Sequence, residues 1–419
     1  MTTIRGRPNL PGNRRERRAS DGETSMVDVR VDPRSGARHG GPMSPTFDPV
    51  WRSLDERVAS GWAPGIVAGV RHHDETRFYA VGTADLPDGP DVEPVSVDTP
   101  HRIASLSKLV GMALTAQLIG DGLLDLDDEI AEWMPELASR RVLRAPDAAL
   151  DDTVPADREL TVRDLVTFTS GLGMQFDATP LSAELHPFAI GPVPPQLSAD
   201  DYLERIAALP LAHQPGAQWT YHTSADLLGI LLSRAAEKSL HELLLGEITG
   251  PLGLSHTGFF SEQRMPSQYV ARGENLEIAD AYNDAFSQPP RFESLAGGLV
   301  STVPEFLRIL TAIADGEIVP PELVAAATAP QLDAAQQLGL QQLAGPGVGW
   351  GWCTSVETGT PHPWSAPGRW GWNGGSGTSA YVDPSRDLVG VVFTQRFMAG
   401  PQETFGYFWE PLAASVDRG

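Results

Sequence analysis

The chain has 419 residues, of which 41% are hydrophobic, and its formal net charge at pH 7 is -23. This length suits one large enzyme domain or roughly two to three smaller domains, and the apolar content is sufficient for a sizeable core. The strong negative charge disfavours nucleic acids and anionic membrane surfaces as partners, because both carry charge of the same sign. We therefore expect a small-molecule substrate, neutral or with its charge bound locally.

The N-terminal 45 residues are rich in Arg, Gly, Pro and Ser and show no apolar periodicity. This composition is typical of disorder, so we interpret residues 1–45 as a tail that precedes one domain at 46–419. No hydrophobic stretch follows the paired arginines, and no run of about 18 apolar residues occurs elsewhere, so neither an export signal nor a membrane span is predicted. The expected location is the cytoplasm.

Predicted elements begin with a helix at 47–61 and two strands at 65–72 and 77–82, joined by a polar turn at 73–76. Further helical patterns occur at 105–120 (with amphipathic spacing), 161–168, 199–208, 223–237, 303–314 and 320–328. Strand patterns return at 348–356, 378–382 and 388–395, before a last helix at about 403–416. This order predicts one sheet built from two outer segments, about 46–104 and 290–419, with a helical region at about 105–289 inserted between them.

Motifs of several other enzyme chemistries are missing from the chain. No HExxH, CxxC or EF-hand pattern occurs, and no GxxxxGK[ST] or GxGxxG loop, so we expect neither a metal site nor a cofactor. The segment GGSGT at 374–378 fails the G-x-S-x-G pattern of a nucleophile elbow at its last position. The single cysteine, Cys353, has no disulfide partner and is predicted to be a buried structural thiol.

The segment SLSK at 105–108 carries the main chemical signal. Ser105 and Lys108 are three residues apart at the start of a helix, so their side chains share one face. A serine becomes a good nucleophile when a neutral base removes its proton, and burial lowers a lysine pKa enough to supply that base. The alternative is a solvated pair, but 29 of the 31 basic side chains are arginine, and Lys238 is the only other lysine.

Two later segments supply further candidates. In PGAQWTYHT at 215–223, Tyr221 lies at a loop-to-helix junction, where it is either a core tyrosine or a proton shuttle, the latter as a tyrosinate beside a lysine ammonium. In GWNGGSGTS at 371–379, glycines allow a backbone to approach a substrate, and an amide there could pair with that of Ser105 as an oxyanion hole. The alternative for this segment is a simple glycine-rich hairpin turn.

These three segments, in this order, resemble the serine β-lactamase and penicillin-binding protein superfamily, and most closely its class C β-lactamase-like esterases. LVTFTSGL at 165–172, PLGL at 251–254, AGGL at 296–299 and YVDP at 381–384 are also similar to segments of that branch. The likeness covers about residues 47–415. It implies an α/β (α+β) fold of the β-lactamase/transpeptidase type, with an antiparallel sheet flanked by helices and an inserted helical subdomain.

The resemblance also implies roles for individual residues. Ser105 would form an acyl-enzyme, Lys108 and Tyr221 would move protons, and the amides of Ser105 and Gly375 would bind the oxyanion. Substrate-binding positions would be Thr223, Trp372, Asn373 and Gly374.

Two positions depart from the family pattern. Thr223 stands where the second motif usually has Asn, and Trp372 stands where β-lactamases and peptidases have the Lys that draws a substrate carboxylate. Five tryptophans crowd this part of the chain, and one or two of them could line an acyl pocket: Trp350, Trp352, Trp364, Trp370 and Trp372. Arg369 lies close by in sequence and could restore a positive charge.

The first hypothesis is therefore an esterase for small or medium hydrophobic acyl esters. The second is an amide-bond hydrolase, meaning a β-lactamase, D-peptidase or amidase, and acyl transfer to another acceptor fits the same chemistry. The third is a non-catalytic binding relative, which the presence of Ser105, Lys108 and Tyr221 together argues against. The sequence does not indicate an oligomeric state.

Overall fold

The computed structural model describes residues 46–87, 92–191, 193–280 and 285–417, so the tail predicted at 1–45 lies outside the described residues. The helices are α1 (Asp48–Ala59), α2 (Ser107–Gly120), α3 (Val162–Val166), α4 (Pro180–Ala189), α5 (Ala199–Ala207), α6 (Thr223–Ala236), α7 (Leu240–Leu244), α8 (Val303–Ala314), α9 (Pro321–Ala327), α10 (Gln336–Ala344) and α11 (Glu410–Val416). The strands are β1 (Gly65–His72), β2 (Glu75–Gly82), β3 (His101–Arg102), β4 (Arg141–Leu143), β5 (Thr153–Pro155), β6 (Gln268–Arg272), β7 (Asn275–Asp280), β8 (Val300–Ser301), β9 (Val348–Trp350), β10 (Ser355–Glu357), β11 (Trp370–Gly374), β12 (Thr378–Asp383) and β13 (Leu388–Thr394).

The main sheet has seven strands in the order β2-β1-β13-β12-β11-β10-β9, and all neighbours are antiparallel. Its register places Ile66 opposite Thr394, so the N-terminal hairpin pairs with the last strand of the chain. The predicted fold class, an antiparallel sheet flanked by helices, is confirmed. Smaller two-stranded ladders join β3 to β8, β4 to β5 and β6 to β7.

Both faces of the sheet are covered by helices. On one face α8 packs against β1 and β13, and Gly69 allows this approach because a Cβ there would collide with the Val303 side chain. On the other face α1 and α11 pack over residues such as Ile66 and Val392. A strand covered on both faces carries a continuous apolar run rather than an alternating one, which is the pattern of β1.

Helix α2 is apolar around its whole circumference, and nearly every residue from Ser107 to Leu118 is buried. The prediction of an amphipathic helix at 105–120 is therefore wrong. The helix has no polar face because it lies in the protein interior, where all of its sides contact apolar residues. The helix also begins two residues later than predicted, since Ser105 belongs to a 3-10 turn at Ala104–Leu106.

Other predicted boundaries differ for local reasons. The hairpin turn shrinks to residues 73 and 74, because β2 starts at Glu75 and His73 takes a left-handed φ of 52°. The strand predicted at 348–356 is two strands, interrupted where Cys353 has a φ of 54°. The last helix begins as a π-helical turn at Phe405–Trp409. The two- and three-residue strands β3, β4, β5 and β8 were missed because they are too short to show a period.

Of the helices within the described ranges, none combines the length and apolarity needed to cross a membrane.

Candidate active site

Ser105 lies in the 3-10 turn that leads into α2, directly after a strained residue. Ala104 has a φ of 44°, in the left-handed region that a Cβ disfavours. The neighbouring Ser107 stabilises this turn, since its hydroxyl donates to the Ala104 carbonyl at 2.7 Å and accepts the Leu299 amide at 3.1 Å. The turn therefore holds the Ser105 side chain at a defined place at the head of the helix.

Lys108 is fully buried beside this serine. Its Nζ donates to Ser105 Oγ at 3.0 Å and also to the carbonyl of Ala296, and it lies 4.7 Å from the centre of the Tyr221 ring. Burial lowers the pKa of Lys108 to about 7, against smaller opposing effects from Asp226 and Cys353. Near neutral pH a substantial fraction of this amine is uncharged and able to accept a proton from Ser105.

Asp226 is a buried carboxylate close to this lysine that the sequence reasoning missed. Its Oδ1 accepts the Ser294 hydroxyl at 2.7 Å and the Ala296 amide at 3.0 Å, so it braces the loop whose carbonyl receives Lys108. Burial raises the pKa of Asp226 to about 6, and its negative charge in turn raises the pKa of Lys108. A lone acidic residue within the apolar α6, five positions after Tyr221, was the available signal.

Tyr221 brings its phenol to the same serine from a different part of the chain. The phenol accepts the indole N–H of Trp372 at 2.5 Å, and it lies close enough to the Ser105 hydroxyl for the two groups to interact. Burial raises the pKa of Tyr221 well above its usual value, so the phenol stays protonated at neutral pH. The pKa shifts of Tyr221 and Lys108 therefore favour a neutral phenol beside a neutral amine, and not the tyrosinate and ammonium proposed from the sequence.

Aromatic neighbours fix the orientation of the Tyr221 ring. It stacks on Trp219 with ring centres 5.5 Å apart and meets Trp372 at 5.7 Å, while Phe168 and Trp350 lie at 6.0 and 6.3 Å. Such pairs restrict both rotation and tilt of a ring.

The glycine-rich segment is the turn between β11 and β12, packed against the Ser105 turn. Gly374 permits this packing, because a Cβ there would collide with the Ile103 carbonyl and the Thr378 hydroxyl. The Thr378 hydroxyl donates to the Ile103 carbonyl at 2.9 Å, which ties the two segments together. Gly375 accepts the Met398 amide at 2.9 Å through its carbonyl and faces the same cavity as Ser105.

The cavity at this place has a volume of about 360 Å³. Its described lining consists of Ser105, Met174, Gly191, Tyr221, His222, Leu343, Trp372, Asn373, Gly375, Phe397, Met398, Gly400 and Pro401. None of these lining residues is acidic, lysine or arginine. The cavity thus places the Ser105 hydroxyl at the edge of a largely apolar space, which matches the general design of small-molecule sites.

Five of the predicted site residues line this cavity: Ser105, Tyr221, Trp372, Asn373 and Gly375. Lys108 lies behind Ser105. Thr223 and Gly374 do not line the cavity, which departs from their predicted contact with substrate. Thr223 is fully buried, with its hydroxyl directed to the Ala189 carbonyl at 3.4 Å. Gly374 faces Ile103 instead.

Arg369 does not restore a positive charge to the cavity. It is 2% exposed, pairs with Glu357 at 2.6 Å, and lies 3.7 Å from the centre of the Tyr381 ring. Its charge is therefore satisfied within the core. Asn373 is also engaged, since its amide donates to the Tyr381 hydroxyl at 2.8 Å and its carbonyl oxygen accepts the Ser379 hydroxyl at 2.6 Å.

The remaining sequence candidates belong to the core. Cys353 is fully buried, and burial raises the pKa of its thiol to about 12, as expected for an unreactive structural cysteine. Of the five clustered tryptophans, Trp372 lines the cavity, and the buried Trp350, Trp352 and Trp370 do not.

Comparison of the chain with known proteins identifies a family and several relatives. The family model described as "Beta-lactamase" matches residues 52–407. Protein Rv1367c of Mycobacterium tuberculosis is 32% identical over 80% of this chain and 87% of its own length, and Esterase EstB of Burkholderia gladioli is 27% identical over 90% and 97%. Further relatives, at 27–29% identity, are acyltransferases.

Solved structures show the same fold. "EstCE1, a hydrolase with promiscuous acyltransferase activity" superimposes with a TM-score of 0.74 at 22% identity, covering 88% of this chain and 97% of that protein.

Proposed function

Because this chain belongs to the Beta-lactamase family, whose members include serine hydrolases and acyltransferases, we propose that it is a carboxylesterase for small or medium hydrophobic acyl esters. The enzyme has the β-lactamase/transpeptidase-like fold. One observation carries the proposal: a buried lysine amine lies 3.0 Å from a serine hydroxyl at the edge of an apolar cavity with no charged side chain in its described lining.

Acylation would begin with attack of Ser105 Oγ on the ester carbonyl. The neutral Lys108 amine accepts the hydroxyl proton, and the Tyr221 phenol, which lies beside the same hydroxyl, donates a proton to the departing alkoxide. The Lys108 ammonium then returns a proton to Tyr221, so the acyl-enzyme forms with both groups neutral. The backbone amides of Ser105 and Gly375 would bind the oxyanion.

Deacylation would use the same two groups. A water molecule attacks the acyl carbonyl and loses a proton to the neutral Lys108 amine, while the Tyr221 phenol donates a proton to Ser105 Oγ as it leaves; the Lys108 ammonium then returns a proton to Tyr221. An alcohol in place of water would give acyl transfer by the same steps, so transfer is a second outcome of one mechanism. The name of EstCE1 joins hydrolase and acyltransferase activities in one protein.

The chemistry of the cavity favours esters over β-lactams and peptide acids. Those substrates carry a carboxylate, and the position where the wider superfamily has a lysine holds Trp372, whose indole faces the cavity and the Tyr221 phenol. Arg369 is paired with Glu357 and leaves that loss uncompensated. Desolvating a carboxylate without a cation is costly, whereas a neutral acyl ester loses little on entering an apolar space.

A substrate comparison tests this proposal. We expect turnover of p-nitrophenyl butyrate and little turnover of nitrocefin, a chromogenic β-lactam, because the site lacks a cation for the β-lactam carboxylate. Both reactions are followed by absorbance at matched enzyme concentration. Efficient nitrocefin hydrolysis with slow ester hydrolysis would overturn the esterase assignment in favour of amide-bond cleavage. Absence of any covalent labelling by a fluorophosphonate probe would favour a non-catalytic binding protein.

The pH profile follows from the lysine. Since the neutral amine is the active form and burial lowers its pKa to about 7, kcat/KM for p-nitrophenyl butyrate should fall about tenfold per pH unit below 7 and level off above about 8. Asp226→Asn removes a negative charge that raises the Lys108 pKa, so this rising limb should move to lower pH. A limb that stays in place or moves to higher pH would contradict this coupling.

A further inference from the structure

His222 follows the catalytic tyrosine candidate in the chain and lines the same cavity as Ser105. It is 6% exposed, and its ring lies 5.9 Å from the Tyr221 ring in an edge-on arrangement. The family comparison and the proposed mechanism assign this side chain no role. Its position in the wall of the cavity that also contains Ser105 makes His222 a candidate for direct contact with a substrate.

The other polar groups of the cavity lining are already engaged. Ser105 accepts from the Lys108 amine, the Trp372 indole donates to Tyr221, and Asn373 is held at both ends by Tyr381 and Ser379. The His222 ring, by contrast, has no hydrogen bond to any residue in the described part of the chain. Because the ring has no partner among these residues and His222 borders the cavity, its two nitrogens are available to a ligand.

The backbone of His222 is strained, which is a separate observation. Its φ is 90° and its ψ is -71°, a conformation that a residue with a Cβ adopts rarely and at a cost. Glycine would adopt it freely. Because this conformation lowers stability, a histidine that adopts it in the wall of the cavity favours a role for its side chain in contact with a ligand.

We infer that His222 recognises a hydroxyl group of the substrate, close to the scissile ester. This inference rests on the proposed esterase function and narrows its substrate class to hydroxylated esters. A neutral imidazole offers one donor and one acceptor, and a hydroxyl group needs the same pair. Burial and the Lys108 charge hold the pKa of His222 well below its ordinary value, so the ring is not a cation and does not attract a carboxylate.

Pairs of esters with and without a hydroxyl group test whether the recognised hydroxyl lies on the acyl side or on the alcohol side of the substrate. On the acyl side, p-nitrophenyl 3-hydroxybutyrate is compared with p-nitrophenyl butyrate, and on the alcohol side 2-hydroxyethyl butyrate is compared with ethyl butyrate, using kcat/KM ratios. We expect a preference of about tenfold for the hydroxylated ester in one of the two pairs, as for one neutral hydrogen bond. His222→Gly should abolish that preference, and His222→Asn, which keeps a donor and an acceptor, should restore part of it.

Two controls distinguish loss of substrate recognition from damage to the fold: the melting temperature of the variant, and the substitution of a histidine elsewhere. The melting temperature of His222→Gly should equal or exceed that of the wild type, because glycine relieves the strained φ. His186→Asn, at an exposed position on α4, should keep the wild-type preference. Ester turnover with no preference in either pair, or a preference that persists in His222→Gly, would overturn this inference alone. Failure to turn over any ester would overturn the proposed function as well.

Discussion

Ser105→Ala should lower kcat for p-nitrophenyl butyrate by roughly 10⁶-fold, the size of loss seen when a serine enzyme loses its nucleophile. The reason is covalent: without Oγ no acyl-enzyme forms, and Lys108 loses the group from which it takes a proton at 3.0 Å. Steady-state kinetics measure the loss, and intact-mass analysis after fluorophosphonate treatment should show one adduct in the wild type and none in the variant.

A serine elsewhere provides the control for this substitution. Ser60 lies on the surface at the end of α1, where its hydroxyl donates to the Arg57 carbonyl, so Ser60→Ala should keep full activity and labelling. Ser107 is unsuitable as a control, because its hydroxyl stabilises the turn that carries Ser105. An adduct that persists in Ser105→Ala would assign the nucleophile to another residue.

Lys108→Ala should lower kcat by about 10²–10⁴-fold while the fold is retained, the contribution expected of a general base. Removing the amine leaves Asp226 without the positive charge that lowers its pKa, so this carboxyl should take up a proton and stay neutral in the core. Lys108→Arg should be comparably inactive, because a guanidinium does not lose its proton in proteins. Steady-state kinetics measure the loss of kcat, and circular dichroism tests whether the fold is retained.

The chain offers a matched control here as well. Lys238 is the only other lysine and is exposed just after α6, so Lys238→Ala should leave kcat unchanged. The acid limb of the pH profile near pH 7 should disappear in Lys108→Ala and persist in Lys238→Ala. A loss in Lys108→Ala of less than about tenfold would assign the role of base to another group, with Tyr221 the next candidate.

The proposals for His222 and for the ester cavity both concern which substrate the enzyme accepts, but each addresses a different part of that substrate. The absence of charged residues from the described lining bears on which acyl groups the cavity accepts, and the open imidazole bears on which polar group it selects. Both are independent of whether water or an alcohol takes the acyl group from Ser105. That choice depends on the relative concentration and binding of the acceptors, which comparison of product ratios with added alcohols would measure.

Local features could be predicted from sequence because they depend on short-range geometry. The strand at 65–72 and the helix at 303–314 have the bounds expected from their apolar patterns. The spacing of Ser105 and Lys108 brought hydroxyl and amine together because residues three apart on a helical turn share one face. Gly374 was predicted to allow a close backbone approach, and the partner of that approach is the Ile103 carbonyl, not a substrate.

Features that depend on distant segments could not be read in this way. Thr223 was assigned to the cavity by its place in a motif, but the orientation of α6 buries it against Ala189. Arg369 was predicted as a candidate cation for the cavity, but the pairing of strands in the sheet brings Glu357 beside it, and the two side chains form an ion pair. Asp226 and His222 carry no motif, and the roles proposed for them follow only from which groups surround them.

The sequence by itself determined that Ser105 and Lys108, the proposed nucleophile and base, share one face, because both residues lie on one helical turn whose geometry is local. Only the tertiary structure decided the protonation state of this pair. The pKa of Lys108 falls to about 7 because segments far apart in the chain, the helices α2 and α6 and the loop at 294–299, exclude water from around its amine. Desolvation is a property of the whole assembled core, so no spacing of residues along the chain records it.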